Sequence, residues 1–350
     1  MKLKLVAFAV AAAAASAVSA QTANVTLYGV LDTYVESARV SGGAATAVRG
    51  STLRMSAGGL SGSRWGLRGS ESLGGGMNAI FTLEGGFGSD TGALGQSNFN
   101  AANGPVIGRL FGRRAFVGLS GGFGQVTLGR DYAPNFWVQC NSDDSFGGCL
   151  TSWSFVGNAM TGFANSLRQD NQLSYKTPNM GGLTSQVAWA FGESSVGTSA
   201  GRTFGMNVEY KAGPLYLGAG YSDQKNPAGT ASNKQTLIGA TYNAGVVYVG
   251  GTYAQHKTDT GGKVKALAAS GTVPMGASRL GLQFGQAKSG SAKARSLAFI
   301  AENDLSKRTT VYGAVAQIKN DGLAVGTGGA TPAGLGQTGR SLAVGLRHRF

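Results

Sequence analysis

Sixteen stretches of about ten residues, each tending to alternate apolar and polar side chains, are separated in turn by short and longer polar connections. Strict period two marks a strand with one apolar face and one wet face. About ten tilted strand residues also suffice to cross a bilayer. The last stretch is the clearest: Leu342, Val344, Leu346, His348 and Phe350 fall on one face, and Ser341, Ala343, Gly345, Arg347 and Arg349 on the other. Beyond residue 20 no window approaches the roughly 18 consecutive apolar residues of a spanning helix, so a membrane form of this chain has to be a closed barrel. The competing solution, a β-sandwich, buries its apolar faces against each other and usually has fewer strands.

The first twenty residues carry Lys2 and Lys4, an apolar run from Leu5 to Ala15, and Val18-Ser19-Ala20 ahead of Gln21. That is the layout of a cleaved export signal, so residues 1–20 are expected to be removed and 21–350 to form a single barrel domain. Glycine contributes 59 residues, proline 7, and charged residues only 13%, which suits one large sheet better than a packed α/β core. The formal charge is +14, but the basic residues are dispersed, with no run of three and no interleaved aromatic platform. Nucleic acid is therefore not an expected partner. The excess charge is expected to face water in the lumen and loops.

The strands are read at 25–37, 61–70, 77–88, 113–120, 124–131, 168–177, 183–192, 203–211, 214–223, 235–243, 246–256, 263–270, 277–287, 295–304, 308–319 and 341–350. Short connections then alternate with longer ones at 38–60, 89–112, 132–167, 193–202, 224–234, 257–262, 288–294 and 320–340, which places the two sets at opposite barrel ends. Leu27, Leu31, Val35, Leu173, Val187, Leu217, Leu282 and Phe284 are expected to face lipid; Asp32, Arg64, Arg68, Glu84, Gln172, Gln186 and Gln283 are expected to face water. A lysine or arginine on the lipid face near the midplane costs about 2–4 kcal/mol, which decides the sorting.

The connection 132–167 stands apart by its length and its aromatics: Phe136, Trp137, Phe146, Trp153, Phe155 and Phe163. A loop with its own apolar residues packs on something. Folded inward it narrows the channel; folded outward it is a surface flap, and the aromatic content favours the inward placement. Cys140 and Cys149, the only cysteines, are expected to form a disulfide in an oxidising compartment, worth about 2–3 kcal/mol for so short a loop. Two thiols with His256 and His348 far away in sequence make no metal site, and no cofactor is expected. Arg64, Arg68, Arg113, Arg114, Arg130 and Arg168 lie at strand positions around this loop. Guanidinium groups in a water-filled constriction attract anions and repel cations. The expected countercharges are Asp143 and Asp144 from the loop, with Glu84 and Asp32 on the wall.

An enzyme on such a barrel needs a nucleophile with a positioned base. His348 lies on the apolar face and His256 ends a strand, so the inventory argues against one. A surface-display barrel, adhesin or receptor, with a plugged or narrow pore is the alternative to an open channel, and the placement of 132–167 separates the two.

Val25-Thr26-Leu27-Tyr28-Gly29-Val30-Leu31-Asp32, Ser63-Arg64-Trp65-Gly66-Leu67-Arg68-Gly69-Ser70-Glu71, Arg113-Arg114-Ala115-Phe116-Val117-Gly118-Leu119, Val126-Thr127-Leu128-Gly129-Arg130 and the terminal Phe350 resemble, in this order, general diffusion porins of Gram-negative outer membranes. The resemblance is closest to the beta-proteobacterial porins and spans nearly the whole chain after residue 20. It implies a multi-pass outer-membrane protein, a homotrimer of 16-stranded antiparallel barrels with the third loop folded into each pore, and passive passage of small hydrophilic and anionic solutes. Outer-membrane lipid, lipopolysaccharide and the outer-membrane assembly machinery are the other implied partners. By position, Arg64, Arg113, Arg130 and Arg168 look like the basic wall of such a pore, and Phe350 like the carboxy-terminal assembly signal. The third loop departs from the enterobacterial members in lacking a Pro-Glu-Phe-Gly-type acidic segment and in carrying a cysteine pair.

Overall fold

The computed structural model describes residues 24–43, 50–95, 99–100, 104–105, 108–142, 151–155, 167–325 and 335–350. The expected leader, 1–20, lies outside these residues, as do Asp143, Asp144 and Cys149.

Strand β1 (Asn24–Gly42) is followed by a second strand in two pieces, β2a (Gly50–Ala57) and β2b (Arg64–Gly74), then β3 (Met77–Gly86), β4 (Arg114–Gly121) and β5 (Gly124–Tyr132). Helix α1 (Pro134–Ser142) opens the third long connection. Strands β6 (Arg168–Lys176), β7 (Leu183–Ala190), β8 (Thr203–Ala212), β9 (Leu215–Lys225), β10 (Ser232–Asn243) and β11 (Tyr248–Lys257) come next. The chain ends with β12 (Lys263–Met275), β13 (Ser278–Ser289), β14 (Ala292–Asp304), β15 (Thr309–Asp321) and β16 (Gln337–Arg349). Every strand pairs antiparallel with its sequence neighbour, and β1 closes the sheet on β16, from Val30↔Arg349 to Gly42↔Gln337. Counting β2a and β2b as one strand, this is the sixteen-stranded barrel that the alternation required.

The outward face is the one expected: Leu27, Leu31, Val35, Leu173, Val187, Leu217, Leu282 and Phe284 are exposed, while Gln172, Gln186 and Gln283 are buried on the opposite face. On the last strand Leu342, Val344 and Leu346 are exposed and Ser341, Ala343 and Arg347 buried. The chain end is tied down as well. Gly29 and Phe350 exchange backbone hydrogen bonds of 3.0 and 3.1 Å. The Phe350 ring covers Gly29 so closely that a Cβ there would collide with it.

Two of the expected long connections need correction. The connection read as 38–60 is largely strand, because β1 continues to Gly42 and β2a pairs with it from Thr33↔Ala57 to Val40↔Gly50. The second strand breaks at 58–63, and Asp32 holds the break: its carboxylate accepts from the backbone N–H of Gly59 (3.1 Å), Leu60 (2.9 Å) and Ser61 (2.8 Å) and from the Tyr312 hydroxyl (2.5 Å). The connection read as 288–294 shrinks to a turn at Gly290 (φ 60°), since β13 and β14 continue to the Ser289↔Ala292 pair.

Helix α1 lies where the sequence reading places only loop. Proline at its first position needs no N–H partner there, and the helix packs against β8–β11. Asn207 Nδ2 donates to the Pro134 carbonyl (2.8 Å), Asn141 Nδ2 to Glu209 Oε1 (2.7 Å), and Thr252 Oγ1 to Ser142 Oγ (2.8 Å). Val138 packs with Leu237 and Ala254 on the face opposite the exposed apolar one. At Gly239 the approach is so close that a Cβ would collide with the Ser142 side chain.

The described piece 151–155 crosses to other strands. Ser152 N and Oγ donate to the Gly59 and Gly58 carbonyls in the strand break (2.8 and 2.9 Å). Trp153 is fully buried between Tyr34 and Tyr312, at ring distances of 5.4 and 6.1 Å. Phe155 N donates to Gln283 Oε1 (2.8 Å), and its ring fills the space a side chain at Gly285 would need.

Candidate functional site

Beside α1, on β2b through β6, the inward face carries a concentration of arginines. Two backbone irregularities build it. The β5–β6 register shifts between Gly129 and Asp131, with Gly129 at φ 134°, and Asn171 on β6 has φ 54°. A bulge adds a residue without a partner and re-aims the side chains beyond it. Leu128, before the bulge, is exposed on the outer face by ordinary alternation, while beyond it Arg130, Asp131 and Tyr132 are all buried.

Tyr132 is the hub. Its hydroxyl oxygen accepts from Arg113 Nη2 (2.7 Å) and from Arg168 Nη2 (2.6 Å), and the Arg168 guanidinium lies 4.3 Å over its ring centroid. The ring stacks on Phe136 of α1 at 4.0 Å and 9°, with Trp137 edge-on at 5.3 Å. One side chain thus links the arginines to the third connection.

Glu84 on β3 is linked to the hub through Arg113, which bonds both. It accepts from Arg113 Nε at 2.6 Å and from the Tyr28 hydroxyl at 3.0 Å, and Arg64 Nε stands 3.8 Å away. Arg64 also donates to Ser61 Oγ (3.1 Å) and the Gly62 carbonyl (3.0 Å), so the strand break positions it. Next to this group Asp170 receives both Arg130 (2.7 Å) and Arg109 (2.7 Å), and Asp131 holds Arg114 in two parallel bonds of 2.8 and 2.9 Å. Six arginines, 64, 109, 113, 114, 130 and 168, therefore face three carboxylates, Glu84, Asp131 and Asp170.

The structure brings together Arg64, Arg113 and Arg168, with Arg130 on the adjoining carboxylate. It sets Arg68 apart: exposed, with its guanidinium 5.3 Å over the Tyr28 ring. Glu84 lies among the arginines rather than across from them. Asp32 is 0% exposed and fully engaged by the strand break, so it is an anchor and not a wet countercharge. Asp143 and Asp144, the remaining acidic candidates, fall outside the described residues. Cys140, near the end of α1, is disulfide-bonded; its expected partner Cys149 lies outside the described residues. Sequence reasoning missed Tyr132, Arg109, Asp131 and Asp170. Only the polar run Arg168-Gln169-Asp170 at a strand start carried a signal for any of them.

The chain matches the family model for Gram-negative porins over residues 7–323. It is 37% identical to outer membrane porin protein 32 of Delftia acidovorans, covering all of both chains. It is 34% identical to an outer membrane porin protein of Bordetella pertussis over 65% of this chain and 60% of that one. Among solved structures it resembles the anion-selective porin from Comamonas acidovorans, with a TM-score of 0.78 and 33% identity over 94% of this chain and 100% of that one. OmpT of Vibrio cholerae, at 15% identity, shares the fold, with a TM-score of 0.64 over 96% of this chain and 100% of that one. A closed sixteen-stranded barrel whose sequence follows the family model over 7–323 belongs to the Gram-negative porins.

Proposed function

We propose that this outer-membrane porin is an anion-preferring diffusion channel whose narrowest level is formed by the third connection, folded into the lumen, against Arg64, Arg113, Arg130 and Arg168. As a porin it passes small hydrophilic solutes through a water-filled barrel, and no reaction is needed. The observation that carries the anion preference is the excess of guanidinium over carboxylate around Tyr132, with Arg113 and Arg168 sharing its one hydroxyl oxygen as acceptor. The contacts of α1 with β8–β11, and of 151–155 with the strand break and β13, support the inward placement of the loop. The solved relative with TM-score 0.78 is itself described as anion-selective. Such a barrel assembles as a homotrimer surrounded by outer-membrane lipid and lipopolysaccharide, with Phe350 read by the assembly machinery.

The test is the zero-current potential of the purified protein in a planar bilayer under a potassium chloride gradient. Each charge within about 4 Å of a passing ion biases it by about 1 kcal/mol even at the dielectric of water. Replacing Arg64, whose carboxylate contact is the longest of the group at 3.8 Å, together with Arg168, which is held by the Tyr132 hydroxyl, as R64Q with R168Q, should lower the chloride-to-potassium permeability ratio by about fivefold or more. An unchanged ratio with normal conductance would remove these residues from the constriction.

A further inference from the structure

The basic residues that the sequence disperses are gathered by the register of the barrel. On β10, β11 and β12, Lys234 stands opposite Lys257, and Lys257 opposite Lys263. One step on, Lys265 stands opposite Lys288, and Lys288 opposite Lys293. The row continues with Arg295 opposite Lys319, and Arg340 opposite Arg39 across the closing seam. All of these have the parity of the exposed apolar residues, so they point outward. Each of six strands has its exposed or half-buried apolar residue four positions from its lysine: Ile238, Tyr253, Leu267, Phe284, Leu297 and Val315 lie below Lys234, Lys257, Lys263, Lys288, Lys293 and Lys319. Four residues are about 13 Å along a strand, or roughly 9 Å along the membrane normal at a tilt near 45°.

This belt sits at the barrel end that carries the long connections, which is the outer-leaflet side. The expectation that the excess charge faces lumen and loops is therefore corrected for this sector. Like charges directly opposite on neighbouring strands repel, and protein carboxylates do little to relieve them. Among the described residues the belt has one ion pair, Lys319 with Asp321 at 4.0 Å, and Asp223 opposite Lys234. On β3–β7, by contrast, no exposed lysine or arginine stands at that end among the described residues.

We propose that the belt on β10–β16 and β1 binds the phosphates of saccharide lipids in the outer leaflet. The lysines supply the anion sites that bridging divalent cations otherwise provide, and the apolar band below them receives the acyl chains. The lysine stems reach along apolar surface while the ammonium groups stay at the headgroup level. The proposal rests on the outer-membrane reading and deepens it by placing the lipid contact.

The experiment is native mass spectrometry of the delipidated protein in neutral detergent, titrated with bisphosphorylated lipid A and with its fully dephosphorylated form. The wild type should retain the phosphorylated lipid at least tenfold more tightly than the dephosphorylated one. K263Q/K265Q/K288Q/K293Q should lose most of that difference, and so in part should the smaller pair K263Q/K288Q, which serves if the larger variant does not fold. Equal retention of the two lipids by the wild type, or undiminished retention by the folded variants, would overturn the proposal. Displacement of the lipid by inorganic phosphate at the lipid's own affinity would also overturn it. Channel conductance is read on the same preparations, so that a closed pore and an unoccupied belt are separate results.

Discussion

Asp32 shows how far a single position can depart from what its type announces. A carboxylate in an alternating strand on the water-facing parity reads as a wet wall residue, and no local signal says otherwise. Its true role depends on chain far away in sequence: the 58–63 break and Tyr312. Buried acceptors bonded to several donors are expensive to remove, because each donor is left without a partner. D32A should therefore cost about 3 kcal/mol of barrel stability, and D32N, which keeps one acceptor oxygen, about 1–2 kcal/mol. Denaturant unfolding of detergent-solubilised protein checks both values, and a loss below about 0.5 kcal/mol for D32A would dismiss the anchor. The arginines were legible because guanidinium at a strand position has few uses in a membrane wall. Tyr132 was not, because a tyrosine at the start of a long connection looks like any interfacial aromatic.

At the scale of elements, the strands announced themselves by period two, and the third connection by its length and aromatics. What stayed hidden had no period to show. The piece Gly50–Ala57 alternates weakly and has Leu53 and Met55 exposed, so it passed for loop. Helix α1 is nine residues long, too short for a helical stripe to stand out against its aromatics. Its docking is written instead in the wall, in Gly239 of β10 facing Ser142, as that of 151–155 is in Gly285 of β13 facing Phe155. Those glycines give a test of the loop as constriction. G285L puts a branched side chain where the Phe155 ring lies, and the ring must leave. Piece 151–155 then loses that anchor, and single-channel conductance should rise by about a quarter or more with added open-channel noise. A conductance equal to wild type, in a variant of normal stability, would mean that this part of the connection does not set the bore.

The whole molecule divides its outer face into two sectors, and the division bears on assembly. From β10 round to β1 the apolar band carries the basic belt above it; from β3 to β7 it does not, although Phe81, Val117, Leu119, Leu128 and Leu173 continue the apolar surface. A lipid-facing sector gains from headgroup contacts, whereas a sector covered by other protomers needs none and would be harmed by unpaired charge. The belt-free sector is therefore the one expected to meet neighbouring protomers in the proposed homotrimer. A closed ring is built from heterologous contacts, in which a residue meets a different residue of its neighbour, so a probe that captures any nearby group is required. A photoreactive amino acid replacing Leu128 should cross-link protomer to protomer on illumination of the native protein in its membrane. The same probe replacing Leu297, which lies on the belt side, should label lipid and leave the protomer single on a denaturing gel. Cross-linked protomers from position 297 with none from 128 would place the interface under the belt. That result would also make the lysines an inter-subunit feature and not a lipid site.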